Sequence, residues 1–264
     1  MNFLPVTTGF PSHTPFDMEG ILLVNKPRGP TSFHIIKLLR RITGEKKIGH
    51  TGTLDPNARG LLLIAFGRAT KTVMFLQEMR KVYIAKVLLG VSTETDDISG
   101  RIIARSDMLP VPFNILKDVL ETFKGSIKQV PPQFSAVKYK GKRAYSLARK
   151  GEKFLLSERD ITIHKIDIIY YSHPYLKIRV ECSKGTYIRA IARDIGKLLN
   201  SYATLSALIR TDIGNWKLKD SIYIDSLTDR KMIEKHILPI PVVLQDLPKR
   251  VMKNPRLKKV CSVL

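Results

Sequence analysis

The stretch "GHTGTLDPNARGLLLIAFGRATK", residues 49–71, joins a glycine-rich loop to a continuous apolar run. The run "LLLIAFG", residues 61–67, predicts a buried strand, because it offers no polar face to solvent. The loop before it places Asp55 between Leu54 and Pro56, among three glycines that let the backbone bend and approach a ligand closely. The stretch therefore predicts a flexible loop that presents a carboxylate at the start of a core strand.

Two other interpretations of this loop have to be weighed. "GEKKIGHT", residues 44–51, comes within one residue of the phosphate-binding pattern G-x-x-x-x-G-K-[ST], but His50 stands where the lysine is needed and a predicted helix precedes the loop. An Asp before a Pro is also an ordinary turn residue. The basic residues around Asp55 favour a functional carboxylate, and an ionised carboxylate suits nucleophilic attack better than proton donation.

The net positive charge of the chain indicates what kind of molecule it binds. Lys and Arg number 45 against 23 Asp and Glu, so the 264-residue chain has a formal net charge of +22, which points to a polyanion. No apolar run approaches the ~18 residues of a membrane span. Residues 1–18 contain no Lys or Arg and are expected to form a flexible leader. Cys182 and Cys261 lack metal or redox spacing, so we expect no metal site. A single disulfide between them is one alternative, and a reduced, cytoplasmic protein is the simpler one.

Strand and helix patterns alternate irregularly along the chain, and several neighbouring strands look hairpin-connected. We therefore predict an α+β (mixed α/β) fold rather than a doubly wound parallel one. Residues 29–44 predict a helix with Phe33, Ile36 and Leu39 on its apolar stripe. Residues 69–79 predict a second amphipathic helix, and residues 81–90 a strand that carries Tyr83.

A glycine-led junction near residue 185 carries Tyr187 and Arg189, two residues apart. They would share a face if the segment is extended, and an arginine there could hold a nucleophilic carboxylate in place. Taken alone, an arginine such as Arg189 is by default a surface residue, and Tyr83 reads equally well as a core residue. His50 reads as a stacking or hydrogen-bonding group rather than a catalytic base. Composition and spacing alone indicate a basic α/β protein with a candidate functional aspartate in a loop, and no specific activity.

Five stretches in one order resemble the TruB family of tRNA pseudouridine synthases. Residues 49–71 match its G-H-x-G-[TA]-L-D-P-x-A-x-G-x-L segment. The others are "GILLVNKPRGPTS" (20–32), "KVYIAKVLLGVSTETDDISG" (81–100), "QVPPQFSAVKYKGKRAYSLARKG" (129–151) and "CSKGTYIRAIARDIG" (182–196). Because the matches are collinear over roughly residues 19–214, the resemblance is more specific than any single motif.

The resemblance implies a pseudouridine synthase fold with a central mixed, largely antiparallel sheet flanked by helices. It implies that Asp55 is the catalytic nucleophile and that Arg189 forms an ion pair with it. The other implied site residues are His50 against the target nucleotide, Tyr83 stacked on the flipped uracil and able to take its C5 proton, Tyr187 and Leu208 lining the uridine pocket, and Lys26 and Pro27 in a supporting loop.

The implied reaction isomerises uridine 55 of the TΨC loop of tRNA to pseudouridine, by base flipping and without a cofactor. The expected domains are a catalytic domain over residues 19–246, with an RNA-binding insertion at about 126–152, and a basic tail over 247–264 in place of a complete C-terminal PUA-type domain. We expect a monomer that binds tRNA, needs no protein partner and binds no membrane. The alternatives are a tRNA-binding or folding protein without catalysis and a related synthase acting on other RNA.

Overall fold

The computed structural model describes residues 18–245, together with Leu247 and Pro255. The expected leader lies outside the described residues apart from Met18, and so does the expected basic tail apart from Leu247 and Pro255. Over the described part, the chain forms fifteen strands and seven α-helices.

The strands are β1 (Gly20–Lys26), β2 (Ile48–His50), β3 (Ala58–Phe66), β4 (Lys81–Leu89), β5 (Val91–Thr93), β6 (Ile102–Arg105), β7 (Gly125–Gln129), β8 (Lys138–Tyr139), β9 (Lys142–Arg143), β10 (Arg159–Ser172), β11 (Tyr175–Cys182), β12 (Ala203–Ile213), β13 (Trp216–Lys217), β14 (Ile222–Tyr223) and β15 (Ile237–Leu238). The helices are α1 (Ser32–Thr43), α2 (Val73–Leu76), α3 (Phe113–Glu121), α4 (Ala144–Ala148), α5 (Ile188–Leu198), α6 (Arg230–His236) and α7 (Ile240–Gln245).

Eleven of the described strands form one sheet, whose main order is β14, β1, β3, β12, β4, β11, β10, β7. Two contacts in it are parallel, β1 with β14 and β3 with β12, and the others are antiparallel. Helices pack on both sides of the sheet. The predicted α+β fold with a mixed, largely antiparallel sheet flanked by helices is confirmed.

The β1 and β3 end of the sheet is covered on both faces. Alternate residues of these strands pack against α1 and α6 on one side and against α2 and α7 on the other. This explains why the run at residues 61–66 is apolar at every position, since each side chain there is fully buried. At ~1.5–3 kcal/mol for each fully buried Leu or Ile, this run anchors the start of the aspartate loop.

The other end of the sheet is covered on one face. Strand β11 alternates buried and more accessible residues, and its buried side packs with α3 and α5 in a cluster that also contains Leu54, Ala58 and Leu208. The hairpin β8–β9 and helix α4 form a small separate cluster that contacts Tyr187. The aspartate loop therefore opens on the face that carries α5.

Helix α1 begins three residues after the predicted start at residue 29, and Ile36 and Leu39 of its predicted apolar stripe are buried, whereas Phe33 is not. The Thr31 hydroxyl caps it by accepting a hydrogen bond from the His34 amide at 3.0 Å, and Gly44 ends it in the left-handed region at φ 73°. Phe33 is 54% exposed, so its place in the core was wrong. The reason is Ser32, which must face inward because its hydroxyl exchanges hydrogen bonds with the Leu54 backbone, and this turns the next residue outward.

The second predicted helix, over residues 69–79, is also wrong in form. The structure has a 3₁₀ stretch at Gly67–Thr72 followed by the single turn α2. The hydroxyl groups of Thr70 and Thr72 donate to carbonyls three residues earlier, at 2.8 and 2.7 Å. Such local bonds compete with a regular helix.

Candidate active site

The Asp55 loop connects β2 to β3 and is fixed at both ends. Ser32 holds the Leu54 backbone, and the Asp55 carbonyl accepts a hydrogen bond from the Ala58 amide at 3.0 Å. The Asp55 side chain is 40% exposed and lines a pocket together with Asp97 and Leu208, among others. The loop therefore presents a carboxylate to a depression at the centre of the sheet.

Arg189 holds this carboxylate from α5. Its Nε lies 2.9 Å from Asp55 Oδ2 and 3.8 Å from Asp97 Oδ2, and its side chain is 6% exposed. The two terminal nitrogens donate to the carbonyls of Thr95 at 2.9 Å and Phe134 at 3.0 Å. Because these carbonyls fix the guanidinium plane, Asp55 meets a cation of defined position in a partly dehydrated site.

Tyr187 and Arg189 do not share a face of an extended segment, as the sequence had suggested. Tyr187 is the N-cap of α5 and Arg189 lies in its first turn. Gln129 fixes this junction, because its side chain accepts from the Tyr187 amide at 2.9 Å and donates to the Tyr187 carbonyl at 3.1 Å. Burial raises the pKa of Tyr187 above its ordinary value. Its phenol is therefore neutral at pH 7.

His50 ends β2 and lies partly buried before the loop. Its Nδ1 accepts a hydrogen bond from the Gly52 amide at 3.3 Å. Burial, and secondly the positive charge of Arg210, lower the pKa of His50 below its ordinary value. The imidazole is therefore neutral near pH 7 and carries its proton on Nε2, which can donate to a bound nucleotide.

Lys26 is fully buried at the end of β1 and organises the loop that contains Pro27. Its Nζ donates to the carbonyls of Pro27 at 2.9 Å and Pro30 at 2.8 Å. Burial lowers the pKa of Lys26 to about 8, and the charge of Asp55 opposes this shift. Pro27 itself is half-buried, so this loop closes one side of the region around Asp55.

One row of residues crosses the sheet beside the pocket. Lys26 pairs with Gly60, Gly60 with Arg210 and Arg210 with Tyr83, so the four positions share a face. Leu208 lies two residues before Arg210, pairs with Ala58 and is 8% exposed at the pocket wall. Sequence reasoning missed Arg210, although its spacing of two from Leu208 on a strand would have placed it on the same face.

The predicted residues come from distant parts of the chain to one region. The Asp55 charge acts on the pKa values of Lys26, Tyr83 and Tyr187, which reach it from β1, β4 and the start of α5. Among the described residues, no three His, Cys, Asp or Glu side chains are grouped so that they could hold a metal ion. None of the helices in the part of the chain that the structure covers is long and apolar enough to cross a membrane.

Comparison with known proteins bears on this arrangement. The family model described as TruB family pseudouridylate synthase (N terminal domain) matches residues 40–188. The tRNA pseudouridine synthase B of Clostridium kluyveri is 42% identical over 245 residues, which are 93% of this chain and 84% of that protein. The protein of the same name from Alkaliphilus oremlandii is 41% identical over 245 residues, 93% of this chain and 82% of that protein. The chain belongs to the TruB family of pseudouridylate synthases.

As a member of this family the chain is a pseudouridine synthase, an isomerase. Solved structures agree with the fold. A chain of the Cbf5-Nop10-Gar1 complex superposes with a TM-score of 0.69 at 27% identity, covering 88% of this chain and 63% of that one. A chain of an H/ACA RNP bound to a substrate RNA containing 2′-deoxyuridine gives a TM-score of 0.66 at 26% identity, covering 88% of this chain and 62% of that one. This TruB-family chain thus spans less than two thirds of the length of those two chains.

Proposed function

We propose that this TruB-family enzyme converts uridine 55 in the TΨC loop of tRNA to pseudouridine, with Asp55 as its nucleophile. The observation that carries the proposal is the Asp55 carboxylate, partly open to a pocket and held at 2.9 Å by the buried Arg189. The relatives named tRNA pseudouridine synthase B, at 42% and 41% identity over most of the chain, support tRNA as the substrate.

The reaction demands that the target base leave its stack. The bond from N1 of uracil to C1′ has to break, the base has to turn, and C5 has to join C1′, which neighbouring bases would prevent. Asp55 acts at the sugar, and attack at C1′ or elimination both detach the base. Tyr83, Tyr187 and Leu208 enclose the flipped uracil, and His50 donates to the nucleotide. Tyr83 then takes the C5 proton.

The insertion at about 126–152 is the proposed element that grips RNA. Its small apolar cluster contacts Tyr187, so RNA bound there would lie next to the pocket. Its outer surface is basic, which suits the phosphates of a folded RNA. The exposed cations in and next to it include Lys128, Lys138, Lys140, Lys142, Arg143, Arg149, Lys150 and Lys153. We further propose that residues 19–246 act as the catalytic domain.

The direct test is a comparison of two charge-removing variants. Purified protein is incubated with an unmodified tRNA transcript, and pseudouridine is mapped at single-nucleotide resolution. Asp55→Asn should abolish product. Asp167→Asn should leave product formation unchanged, because Asp167 lies on the face of β10 that points away from α5. Product formation by Asp55→Asn at the wild-type rate would eliminate the nucleophile assignment.

Two substrates separate this function from its alternatives. A transcript with cytidine in place of uridine 55 should yield no pseudouridine elsewhere, and an isolated TΨC stem-loop should be modified by the protein alone. If tRNA binds but no pseudouridine forms under any condition, a non-catalytic tRNA-binding role is correct instead. If only a different RNA is modified, the tRNA assignment is wrong.

A further inference from the structure

Arg210 is the largest fully buried side chain of the described residues, with 2% exposure. It lies on β12 and is held by two carbonyls, since Nε donates to Leu61 O at 2.7 Å and Nη2 donates to Gly52 O at 3.2 Å. These bonds tie it to both ends of the Asp55 loop. Its position is therefore set by the same backbone that positions Asp55.

The charge of Arg210 has no close counterion. Within residues 18–245, 247 and 255, no carboxylate lies within 4.0 Å of its guanidinium, and the two carbonyls to which it donates are neutral. Buried cations are normally paired, because removing a charge from water is unfavourable. An unpaired, fully buried guanidinium beside an active site is therefore an arrangement that stability does not explain.

The field of this cation reaches the groups around the pocket. Arg210 lowers the pKa values of Lys26 and His50 and acts on its cross-strand neighbour Tyr83 in the same direction, through its charge and through hydrogen bonding. For Tyr83, burial raises the pKa and is the larger effect. Arg210 thus opposes what burial does to the Tyr83 phenol.

We propose that Arg210 is a positioning residue that orients Tyr83 and stabilises its phenolate while the C5 proton is removed. The inference rests on the proposed function, in which Tyr83 is the base. In the balanced step, the C5–H bond breaks, its electron pair restores the C5–C6 double bond of uracil, and the proton passes to the Tyr83 oxygen. The proton that Tyr83 lost beforehand goes, directly or through water, to N1 of the product. One proton moves from C5 to N1, so no co-reactant is required.

The test measures the deuterium isotope effect at C5. Wild type, Arg210→Lys and Arg210→Gln are assayed on tRNA that carries deuterium at uridine C5. For Arg210→Gln we expect kcat to fall by about a hundredfold with little change in KM, and the isotope effect to rise, because proton removal becomes the slow step. Arg210→Lys keeps a cation and should fall between the two. A loss of kcat with an unchanged isotope effect would show that Arg210 is only structural.

A chemical rescue distinguishes loss of phenolate stabilisation from structural damage. Placing 3,5-difluorotyrosine at position 83 makes the phenol more acidic, so it should restore kcat of Arg210→Gln by about tenfold. If Arg210→Gln does not fold, as judged by circular dichroism, the same rescue is measured on Arg210→Lys. Absence of rescue in the folded variant overturns the proposal. Failure of the proposed function is seen separately: an active Asp55→Asn refutes the nucleophile, while the C5 isotope effect still reports on Arg210.

Discussion

Gly60 gives the most stringent test of how closely β3, which follows the Asp55 loop, approaches β12, which carries Arg210. It lies in β3 at φ 111°, where side chains are rarely tolerated, and a Cβ there would come within 2.3 Å of the carbonyl oxygen and 2.8 Å of the amide nitrogen of Arg210. Both contacts are with backbone, so no side chain can swing aside. Gly29 has almost the same φ, 112°, but a Cβ there would meet nothing within 4 Å. The pair separates backbone strain from steric overlap.

The magnitudes follow from these two effects. Strain alone should destabilise Gly29→Ala by ~1–3 kcal/mol. Gly60→Ala should lose this amount and a further ~1–3 kcal/mol, because β3 and β12 must separate to admit the methyl group. The loss is measured as the shift in the urea unfolding midpoint at constant m-value. We also expect Gly60→Ala to lower kcat, since Leu208 and Arg210 move with β12. Equal destabilisation in both variants would refute the close approach of the strands.

Four further predictions concern charge and burial. Arg189→Lys should bind tRNA normally but lose at least ~100-fold in kcat, since the two-carbonyl anchor of the guanidinium is gone; wild-type kcat would contradict the role of Arg189. The affinity for tRNA should fall steeply with salt. A plot of the logarithm of the binding constant against the logarithm of the salt concentration should have a slope of about −0.7 to −0.9 for each neutralised phosphate, and a flat plot would exclude phosphate-dominated binding. Burial lowers the pKa of Lys81 from 10.5 to about 8, so between these pH values the unfolded chain binds more protons than the folded one. The free energy of unfolding should therefore rise by about 3 kcal/mol from Lys81 alone as the pH goes from 8 to 10.5. Lys81→Met should flatten this rise in urea titrations. Burial raises the pKa of the Cys182 thiol to about 12, so in a Cys261→Ser background a thiol reagent should label Cys182 only after unfolding, and labelling of the native protein would disprove its burial.

Periodicity predicted the strands and hairpins well but failed where a single side chain decides orientation. The continuous apolar run at residues 61–66 indicated a buried strand, and the structure confirms it. Phe33 was misplaced because Ser32 is turned inward by the Leu54 backbone, and no periodic pattern contains that contact. The predicted helix at residues 69–79 is shorter than expected because the Thr70 and Thr72 hydroxyls bond to nearby carbonyls, and periodicity does not contain these contacts either.

The candidate site shows a similar division. The motif around Asp55 and the segment around Arg189 were evident as sequence, but their 2.9 Å contact depends on the packing of α5 against the sheet. Arg210 was missed because an arginine in a strand is normally a surface residue. Only the register of β12 between β3 and β4 shows that it faces Tyr83 and has no room to reach solvent.

The parallel contact of β3 with β12 has a consequence for biosynthesis. The bonds from Arg210 to Leu61 and Gly52 span 149 and 158 residues of sequence, so they form only after nearly the whole catalytic region has been made. Contacts of such separation close slowly, because a long loop must be ordered first. We expect the Asp55 loop of the nascent chain to lack its contacts with Arg210 until β12 has emerged from the ribosome. Chains that terminate before β12 should therefore not modify RNA.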